Sequence, residues 1–130
     1  MAPAPRVCSS MVCAGGVLTV MGGISRTSPT DTHVLGDVWQ HDLSDGTWIQ
    51  VSQQTTTNRP TPRAGHTATV VEHNQDSMVV FGGSGADGEL RNDTWVFSLS
   101  GHQWLQPNIS QAPQVSANAN DNSAGVLLAI

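Results

Sequence analysis

The sequence predicts an all-β fold built from a repeated four-stranded antiparallel sheet. Apolar or alternating runs of roughly four to seven residues are separated by Gly, Asn, Asp, Ser and Pro, which is typical of strands and tight turns rather than helices. A sparse pattern also occurs twice, as GDVWQHDLSDGTW at 36–48 and NDTWVFSLSGHQW at 92–104. The matching Asp, Trp and Leu residues are each 56 apart (for Asp, 93 − 37), so the chain contains an internal repeat.

The first two strands of each unit differ in the size of their residues. The first strand follows a Pro-Arg pair and is rich in small residues, with RVCSSMV at 6–12 and RAGHTATVV at 63–71. The second is an apolar run, VLTVM at 17–21 and SMVVF at 77–81, as expected of a strand covered on both faces. Each apolar run ends in a double glycine, which predicts a sharp turn or a close backbone approach.

The third and fourth strands of each unit carry tryptophan. Residues 37–43 and 93–99 alternate, so that a Trp and the residues two and four further on share one face. A short fourth strand follows after a turn rich in Ser, Asp and Gly. Because the indoles recur at fixed strand positions, we expect them in the core rather than on a ligand-binding platform. They are Trp39, Trp48, Trp95 and Trp104.

The distribution of large and small residues predicts how such sheets assemble. A single sheet of this kind has two apolar faces and cannot cover either one alone, so its copies must stack. Small residues on the first strand and large ones on the outer strands make each sheet a wedge, which predicts a β-propeller with the first strand innermost. The expected units are a first blade at 5–51, a second at 62–107 and the start of a third at 112–130.

The ordered set of motifs resembles the Kelch repeat. The set is Pro-Arg-x-Gly-His, an apolar strand with a double glycine, Asp-x-Trp, and a second Trp nine residues on. The second unit carries it as PRAGHTATVV, MVVFGG and NDTWVF, whereas the first has Cys8 and Ser9 where Gly65 and His66 stand. The resemblance covers 4–107. It implies a partial Kelch-type β-propeller of four-stranded antiparallel blades, a protein–protein interaction module, and a packing and hydrogen-bonding role for His66.

Composition argues against several classes of partner. There is no lysine, the five arginines are scattered and the net charge is −5, which argues against a nucleic-acid surface. No apolar run approaches the roughly 20 residues of a membrane span. No targeting signal is convincing, which favours the cytoplasm as compartment. Cys8 and Cys13 are expected to be small buried hydrophobes without a bridge between them.

No residue pattern indicates an enzyme site. The five histidines form no metal-spaced pair, and no phosphate-binding loop is present, so we predict no catalytic, cofactor-binding or metal-binding residues. The alternative is a non-catalytic segment of an enzyme that carries a Kelch or galactose-oxidase-like propeller. The radical chemistry of galactose oxidase needs tyrosine, which this chain lacks, so such a site would lie outside it.

The long polar loops are the candidate partner-binding face. In a four-stranded blade, the connection between strands two and three and the connection to the next blade emerge on the same side. Here these are 24–36, 52–61 and 84–92. Three arginines lie in these loops and Arg63 lies beside them, so four of the five arginines of the chain are on or beside this face. Such a face would suit an acidic peptide. The candidate residues are Arg26, His33, Arg59, Asp87, Glu89 and Arg91.

Two units and the start of a third are too few to close a propeller, which needs roughly four to eight blades. Open sheet edges and uncovered apolar faces would therefore remain. The sequence leaves three explanations open: a piece of a longer protein, a truncated gene model, or a fragment that self-associates with other copies.

Overall fold

A computed structural model describes residues 1–51 and 58–107, which form eight β-strands and no helix. The expected start of a third unit, 112–130, and most of the predicted loop at 52–61 lie outside the described residues. The strands are β1 (Ser10–Ala14), β2 (Val17–Ser28), β3 (Asp31–Asp42), β4 (Trp48–Gln50), β5 (Thr67–Val70), β6 (Ser77–Phe81), β7 (Thr94–Ser98) and β8 (Trp104–Leu105).

The strands pair in sequence order into two antiparallel sheets. Sheet 1 has the order β1-β2-β3-β4 and sheet 2 the order β5-β6-β7-β8. Local polar contacts form the turns, because short side chains accept hydrogen bonds from backbone N–H groups ahead of them. The Asp42 carboxylate accepts a hydrogen bond from the Ser44 backbone N–H at 2.8 Å, and Asn74 accepts one from the Asp76 backbone N–H at 3.0 Å. The predicted repeated four-stranded antiparallel sheet is confirmed.

The second and third strands of sheet 1 are longer than the sequence predicts. The β2 strand continues through its double glycine to Ser28, and β3 already begins at Asp31, so the predicted loop at 24–36 is mostly a β-hairpin. The expectation of a loop is wrong because this hairpin is exposed on both sides, and polar residues on both faces hide the alternation that marks a strand. We call residues 24–35 the hairpin arm.

The double glycines lie where another backbone approaches closely. Gly23 has a φ of +102°, and a Cβ there would lie 2.7 Å from the Val7 carbonyl oxygen. Gly83 has a φ of +90°, and its Cβ would lie 2.8 Å from the Ala64 carbonyl oxygen. In sheet 1 the register shifts between Met21 and Gly23, so the strand bulges and continues rather than turning away. The structural role predicted for these glycines is confirmed.

The core lies between the two sheets. One face of sheet 1 packs on one face of sheet 2, and the innermost strands β1 and β5 contact each other. Trp39 and Trp95 are buried, while Trp48 and Trp104 on the outer strands are half-buried. The predicted tryptophan core is therefore confirmed for the third strands and only partial for the fourth. The buried cluster comprises Val12, Met21, Val38 and Val51 from sheet 1 and Met78, Val80, Trp95 and Phe97 from sheet 2.

Polar side chains also join the sheets. His66 Nε2 lies 2.7 Å from the Ser10 hydroxyl oxygen, and both side chains are buried. Gln40 donates from Nε2 to the Leu99 carbonyl oxygen at 2.9 Å, and its Oε1 lies 2.9 Å from His102 Nε2. The packing and hydrogen-bonding role expected of His66 is thus confirmed, and these contacts fix how one sheet sits on the other.

The cysteines are exposed rather than buried, so that expectation is wrong. Both thiols are free, as expected. Cys8 takes the place of Gly65 in the repeat and shares its left-handed backbone, with a φ of 59°, which turns its side chain outward. Cys13 lies on the face of sheet 1 that no described sheet covers.

Candidate functional site

Two largely buried arginine–aspartate pairs lie at the end of the sheets from which the long loops emerge. The Arg63 side chain is 0% exposed, and its two terminal nitrogens donate to Asp93 Oδ1 and Oδ2 at 2.6 and 2.9 Å. Arg63 also donates to the Gly82 carbonyl oxygen at 3.1 Å, while Trp95 Nε1 donates to Asp93 at 2.9 Å. This Arg–Asp–Trp cluster ties the start of sheet 2 to its double glycine and third strand.

Sheet 1 contains the same cluster at the equivalent positions. Arg6 donates to Asp37 Oδ1 and Oδ2 at 2.6 and 3.0 Å and to the Gly22 carbonyl oxygen at 3.1 Å. Trp39 Nε1 donates to Asp37 at 2.8 Å. The sequence analysis noticed the repeated Pro-Arg and Asp-x-Trp motifs separately but did not pair them. The signal was present, since both motifs recur at nearly the same offset and their charges are opposite.

Arg63 lies on this side but is fully buried, so the expectation that it would suit an acidic peptide is wrong. A fully buried guanidinium bound to a carboxylate and two carbonyl oxygens has no donor to offer a partner. Burial raises the pKa of Asp93, but hydrogen bonds from Arg63 and Trp95 and the arginine charge outweigh it, so the pKa lies below its usual value. The carboxylate stays ionised at neutral pH and keeps the pair intact.

The hairpin arm projects from sheet 1 with both of its candidate residues exposed. Arg26 lies opposite Thr32, and Ser25 opposite His33, so the two candidate side chains occupy neighbouring rungs of the hairpin. At the tip, Thr27 donates a hydrogen bond to Asp31, and His33 Nε2 lies 2.9 Å from Asp31 Oδ1. These hydrogen bonds, that from Thr27 first, lower the pKa of Asp31.

Arg26 is the cation of this arm with unused hydrogen-bonding capacity. Across residues 1–51 and 58–107, no hydrogen bond or ion pair engages its guanidinium. The base of the arm is anchored to the connection between the sheets, because the Arg63 backbone N–H donates to the Leu35 carbonyl oxygen at 3.1 Å. The Gly23 N–H donates to the Arg63 carbonyl oxygen at 3.0 Å. An exposed cation is thus carried on a hydrogen-bonded base.

The β6–β7 loop of sheet 2 brings together its three candidate residues. Asp87 accepts the Glu89 backbone N–H at 3.0 Å and a hydrogen bond from Arg91 Nη2 at 3.1 Å. The Glu89 hydrogen bond is the main cause that lowers the pKa of Asp87, with Arg91 adding to it. Arg91 is therefore already paired within its own loop, whereas Glu89 presents its carboxylate to solvent.

Five of the six candidate residues form two groups, one on the hairpin arm and one in the β6–β7 loop. Arg59, the sixth, is half-buried on the connection between the sheets, four residues before Arg63, whose backbone binds the base of the hairpin arm. In the part of the chain that the structure describes, no hydrogen bond or ion pair joins Arg26 or His33 to the β6–β7 loop. The described side carries three arginines and three carboxylates (Asp31, Asp87 and Glu89), so it is balanced in charge, and the arm itself carries one of each.

The described residues contain no cluster suited to a metal ion. Within them, no group of three or more His, Cys, Asp or Glu side chains could hold a metal ion. His66 is neutral at physiological pH, because burial, with the charge of Arg63, lowers its pKa to about 4. Over the same residues, no helix is long and apolar enough to cross a membrane.

Comparison with known proteins decides the family. A family model described as the KLHDC2/KLHL20/DRC7 Kelch-repeats domain matches residues 1–125. The chain belongs to the Kelch-repeat family. The two sheets are accordingly two Kelch blades, which we call blade 1 (sheet 1) and blade 2 (sheet 2), and the resemblance predicted from the paired glycines and tryptophans is confirmed.

Individual Kelch and propeller proteins agree with this assignment. The F-box/kelch-repeat protein At1g51550 of Arabidopsis thaliana is 32% identical over 133 aligned residues, which cover 90% of this chain and 26% of that protein. The structure of YjhT superposes with a TM-score of 0.63 at 21% identity, covering 79% of this chain and 37% of that one. The chain therefore spans about a quarter of the length of its curated relative, and the second likeness concerns the fold alone.

Proposed function

We propose that this Kelch segment binds another protein through the side that carries the hairpin arm, the connection between the blades and the β6–β7 loop. The observation that carries the proposal is the arm itself, a two-stranded projection with an unengaged arginine, anchored by backbone hydrogen bonds to a rigid base. Rigid sheets that hold exposed connecting segments are a common scaffold for recognition. The relative's name, an F-box/kelch-repeat protein, also places such repeats beside another domain.

The partner chemistry follows from which charges are already satisfied. Arg91 is already paired with Asp87, and His33 with Asp31, so Arg91 and His33 are weak anchors for a ligand. Arg26 has no such competitor and would accept a carboxylate of the partner in a bidentate geometry. The proposed ligand is therefore an acidic segment of another protein that meets the arm first, and Arg59 and Arg91 add to the attraction.

The test compares two sets of substitutions in the whole 130-residue chain. A partner is first recovered by pull-down with the wild-type chain as bait, and its dissociation constant is measured by calorimetry. Arg26→Ala, Arg59→Ala and Arg91→Ala together should weaken binding roughly ten- to hundred-fold, as the loss of a charge-assisted hydrogen bond of about 1.5–3 kcal/mol requires. Unchanged affinity in the triple variant would refute the proposal.

The control alters the opposite end of the blades. Glu72, His73 and Gln103 are exposed in turns at that end, and alanine at these positions should leave the affinity within about twofold. Equal losses in both triple variants would show that destabilisation, rather than the face, explains the effect. The proposal assigns no catalytic role to this segment, and its alternative, a segment of a propeller enzyme, predicts instead that no protein partner is recovered.

A further inference from the structure

A hydroxyl residue followed by proline occurs twice on the side of the molecule that carries the arm. One copy is Ser28-Pro29 at the tip of the hairpin arm, and the other is Thr61-Pro62 on the connection between the blades. Protein kinases of the proline-directed class phosphorylate serine or threonine in this context. The two motifs are equivalent in sequence, so their surroundings in the folded chain decide which of them such a kinase can reach.

Ser28 lies at the exposed tip of the hairpin arm. The β2 strand ends at Ser28, the chain turns at Pro29 and Thr30, and Asp31 opposite Ser28 begins β3. Every residue from 26 to 33 is exposed. Ser28 is five residues beyond Gly23 at the base (28 − 23), or about 16 Å along the strand. A kinase can therefore take up the tip without displacing either blade.

The Ser28 hydroxyl is only weakly engaged. Its oxygen lies 3.3 Å from the Thr30 hydroxyl oxygen and 3.4 Å from the Thr30 backbone nitrogen, and both distances are long for hydrogen bonds. By contrast, the hydroxyls of Ser44 and Thr47 in another exposed turn donate to aspartate carboxylates at 2.6 and 2.7 Å. Transfer of a phosphoryl group to Ser28 therefore breaks no strong hydrogen bond.

Thr61 is also exposed, but its segment is tied to the buried Arg–Asp–Trp cluster of blade 2. The Thr61 carbonyl oxygen accepts a hydrogen bond from Arg63 Nε at 3.1 Å, and its hydroxyl oxygen lies 3.4 Å from Arg63 Nη2. The Pro62 ring packs against Gly36, where a Cβ would lie 3.1 Å from Pro62 Cγ. A kinase that drew this segment into its active site would have to detach it from both Arg63 and Gly36.

We propose that Ser28 is a phosphorylation site for a proline-directed serine/threonine kinase, and that Thr61 is not a site in the folded chain. In the reaction, the Ser28 hydroxyl oxygen bonds to the γ-phosphorus of ATP, the bond from that phosphorus to the β–γ bridging oxygen breaks, and ADP leaves. The hydroxyl proton passes to a carboxylate base of the kinase. The site itself goes beyond the proposed binding function and does not depend on it.

Phosphorylation gives the arm a negative charge. The arm carries one arginine, Arg26, and one carboxylate, Asp31, and a phosphoserine adds a charge of roughly −1.5 to −2 at neutral pH. Arg26 is two residues from Ser28, about 7 Å along the strand, which is within the screening length of about 8 Å at physiological salt. The phosphate also faces Asp31 across the tip, where like charges repel. Phosphorylation should therefore oppose binding of an acidic segment by Arg26, a consequence that rests on the proposed function.

The first test measures phosphorylation of the whole 130-residue chain. The chain is incubated with a purified proline-directed kinase and ATP, and tandem mass spectrometry counts and locates the phosphoryl groups. The wild-type chain should gain one group, on Ser28, and Ser28→Ala should reduce the incorporation at least tenfold. Ser28→Thr should still be modified at position 28, which shows that a threonine hydroxyl is not the reason that Thr61 is spared.

Two further variants separate the motif from its surroundings. Pro29→Ala removes the residue that the kinase class recognises and should also reduce the incorporation at least tenfold, whereas Thr61→Ala should leave it unchanged. Circular dichroism checks that all variants fold. A wild-type chain that gains no phosphate on Ser28 overturns the proposal. So does modification of Thr61 at the rate of Ser28, because the fold would then make no difference between the two motifs.

The second test measures the consequence for binding. Phosphorylated and unmodified chains are titrated with a synthetic oligoglutamate peptide as the acidic probe, and phosphorylation should weaken the affinity at least tenfold. Ser28→Ala treated with kinase and ATP should keep its untreated affinity. Equal affinities of the phosphorylated and unmodified chains overturn the effect on binding. An unmodified chain with no affinity for the probe overturns the proposed acidic ligand and this consequence together, while the mass spectrum still decides the site.

Discussion

At the scale of single residues, the repeated Arg–Asp–Trp cluster explains why charged groups lie inside the blades. Arg63 has no exposed side-chain surface, and its charge is compensated by Asp93 and by carbonyl oxygens. Each carboxylate also accepts an indole N–H, so a buried tryptophan has its one donor satisfied. One carboxylate therefore both neutralises a buried arginine and accepts the hydrogen bond of a buried indole, which explains why the cluster is present in both blades.

Removing the aspartate should be far more costly than removing an exposed one. Asp93→Ala leaves the Arg63 charge buried without a partner and Trp95 without its acceptor, so the free energy of unfolding should fall by roughly 3–5 kcal/mol. Urea unfolding followed by tryptophan fluorescence measures it. Asp87→Ala is the matched control, because its pair with Arg91 is much more exposed and such surface pairs contribute little to stability. Similar losses in both variants would contradict the importance of burial.

His66 makes stability depend on pH in a defined window. Its pKa is lowered from 6.5 to about 4 in the folded protein, chiefly by burial, so the folded state resists a proton that the unfolded state accepts. The stabilisation is fully present above pH 6.5 and is lost as the pH falls toward 4, by about 3 kcal/mol in total.

Urea unfolding at pH 7 and pH 4.5 measures this dependence. His66→Gln keeps a side chain that can hydrogen-bond to Ser10 but does not titrate, so most of the loss between the two pH values should disappear. His73→Gln, in an exposed turn, should keep the wild-type loss. If His66→Gln retains the full pH dependence, another group is responsible.

At the scale of the strands, the double glycines let the first strand and the connection before it run close to the end of the second strand. The backbone groups of Val7 and Ile24 exchange hydrogen bonds at 2.9 and 2.8 Å, and those of Ala64 and Ser84 do so at 3.0 and 2.9 Å. These bonds need the two backbones side by side, with no Cβ between them. In blade 1 the strand then continues into the hairpin arm, whereas in blade 2 it ends at Phe81.

Alanine at the second glycine of the blade 2 pair should show how much stability the close backbone approach costs beyond the strain of a positive φ. Gly83→Ala combines a left-handed backbone with a Cβ that would lie 2.8 Å from the Ala64 carbonyl oxygen. Gly88→Ala has a similar φ of +78° but meets nothing within 4 Å, so it should cost only about 1–2 kcal/mol. The melting temperature of Gly83→Ala should therefore fall clearly below that of Gly88→Ala. Equal melting temperatures would show that the close approach is unimportant.

At the scale of the whole molecule, the contact between the blades and the proposed binding side use different residues. The buried cluster fills the contact between the blades, whereas the arm with its neighbouring loops is exposed to solvent. Arg26→Ala should therefore leave the free energy of unfolding nearly unchanged. Urea unfolding followed by tryptophan fluorescence measures it, and a clear loss of stability would contradict this separation.

The repeat and the chemistry of its strands were determined by the sequence. Alternation, paired glycines and recurrent tryptophans are local patterns, and they predict the number of strands and their order because both depend on neighbours within one blade. Which of the charged residues are internal was decided only by the tertiary structure. Arg26 and Arg63 are the same residue type, and only the meeting of Arg63 with Asp93, thirty positions later in the chain, gives that charge a buried partner.

The extent of the hairpin arm was likewise decided only by the tertiary structure, since polar residues on both sides of a projecting hairpin leave no periodic signal. The buried Cys8 that the sequence predicts is exposed, because its backbone adopts the left-handed conformation of the glycine it replaces.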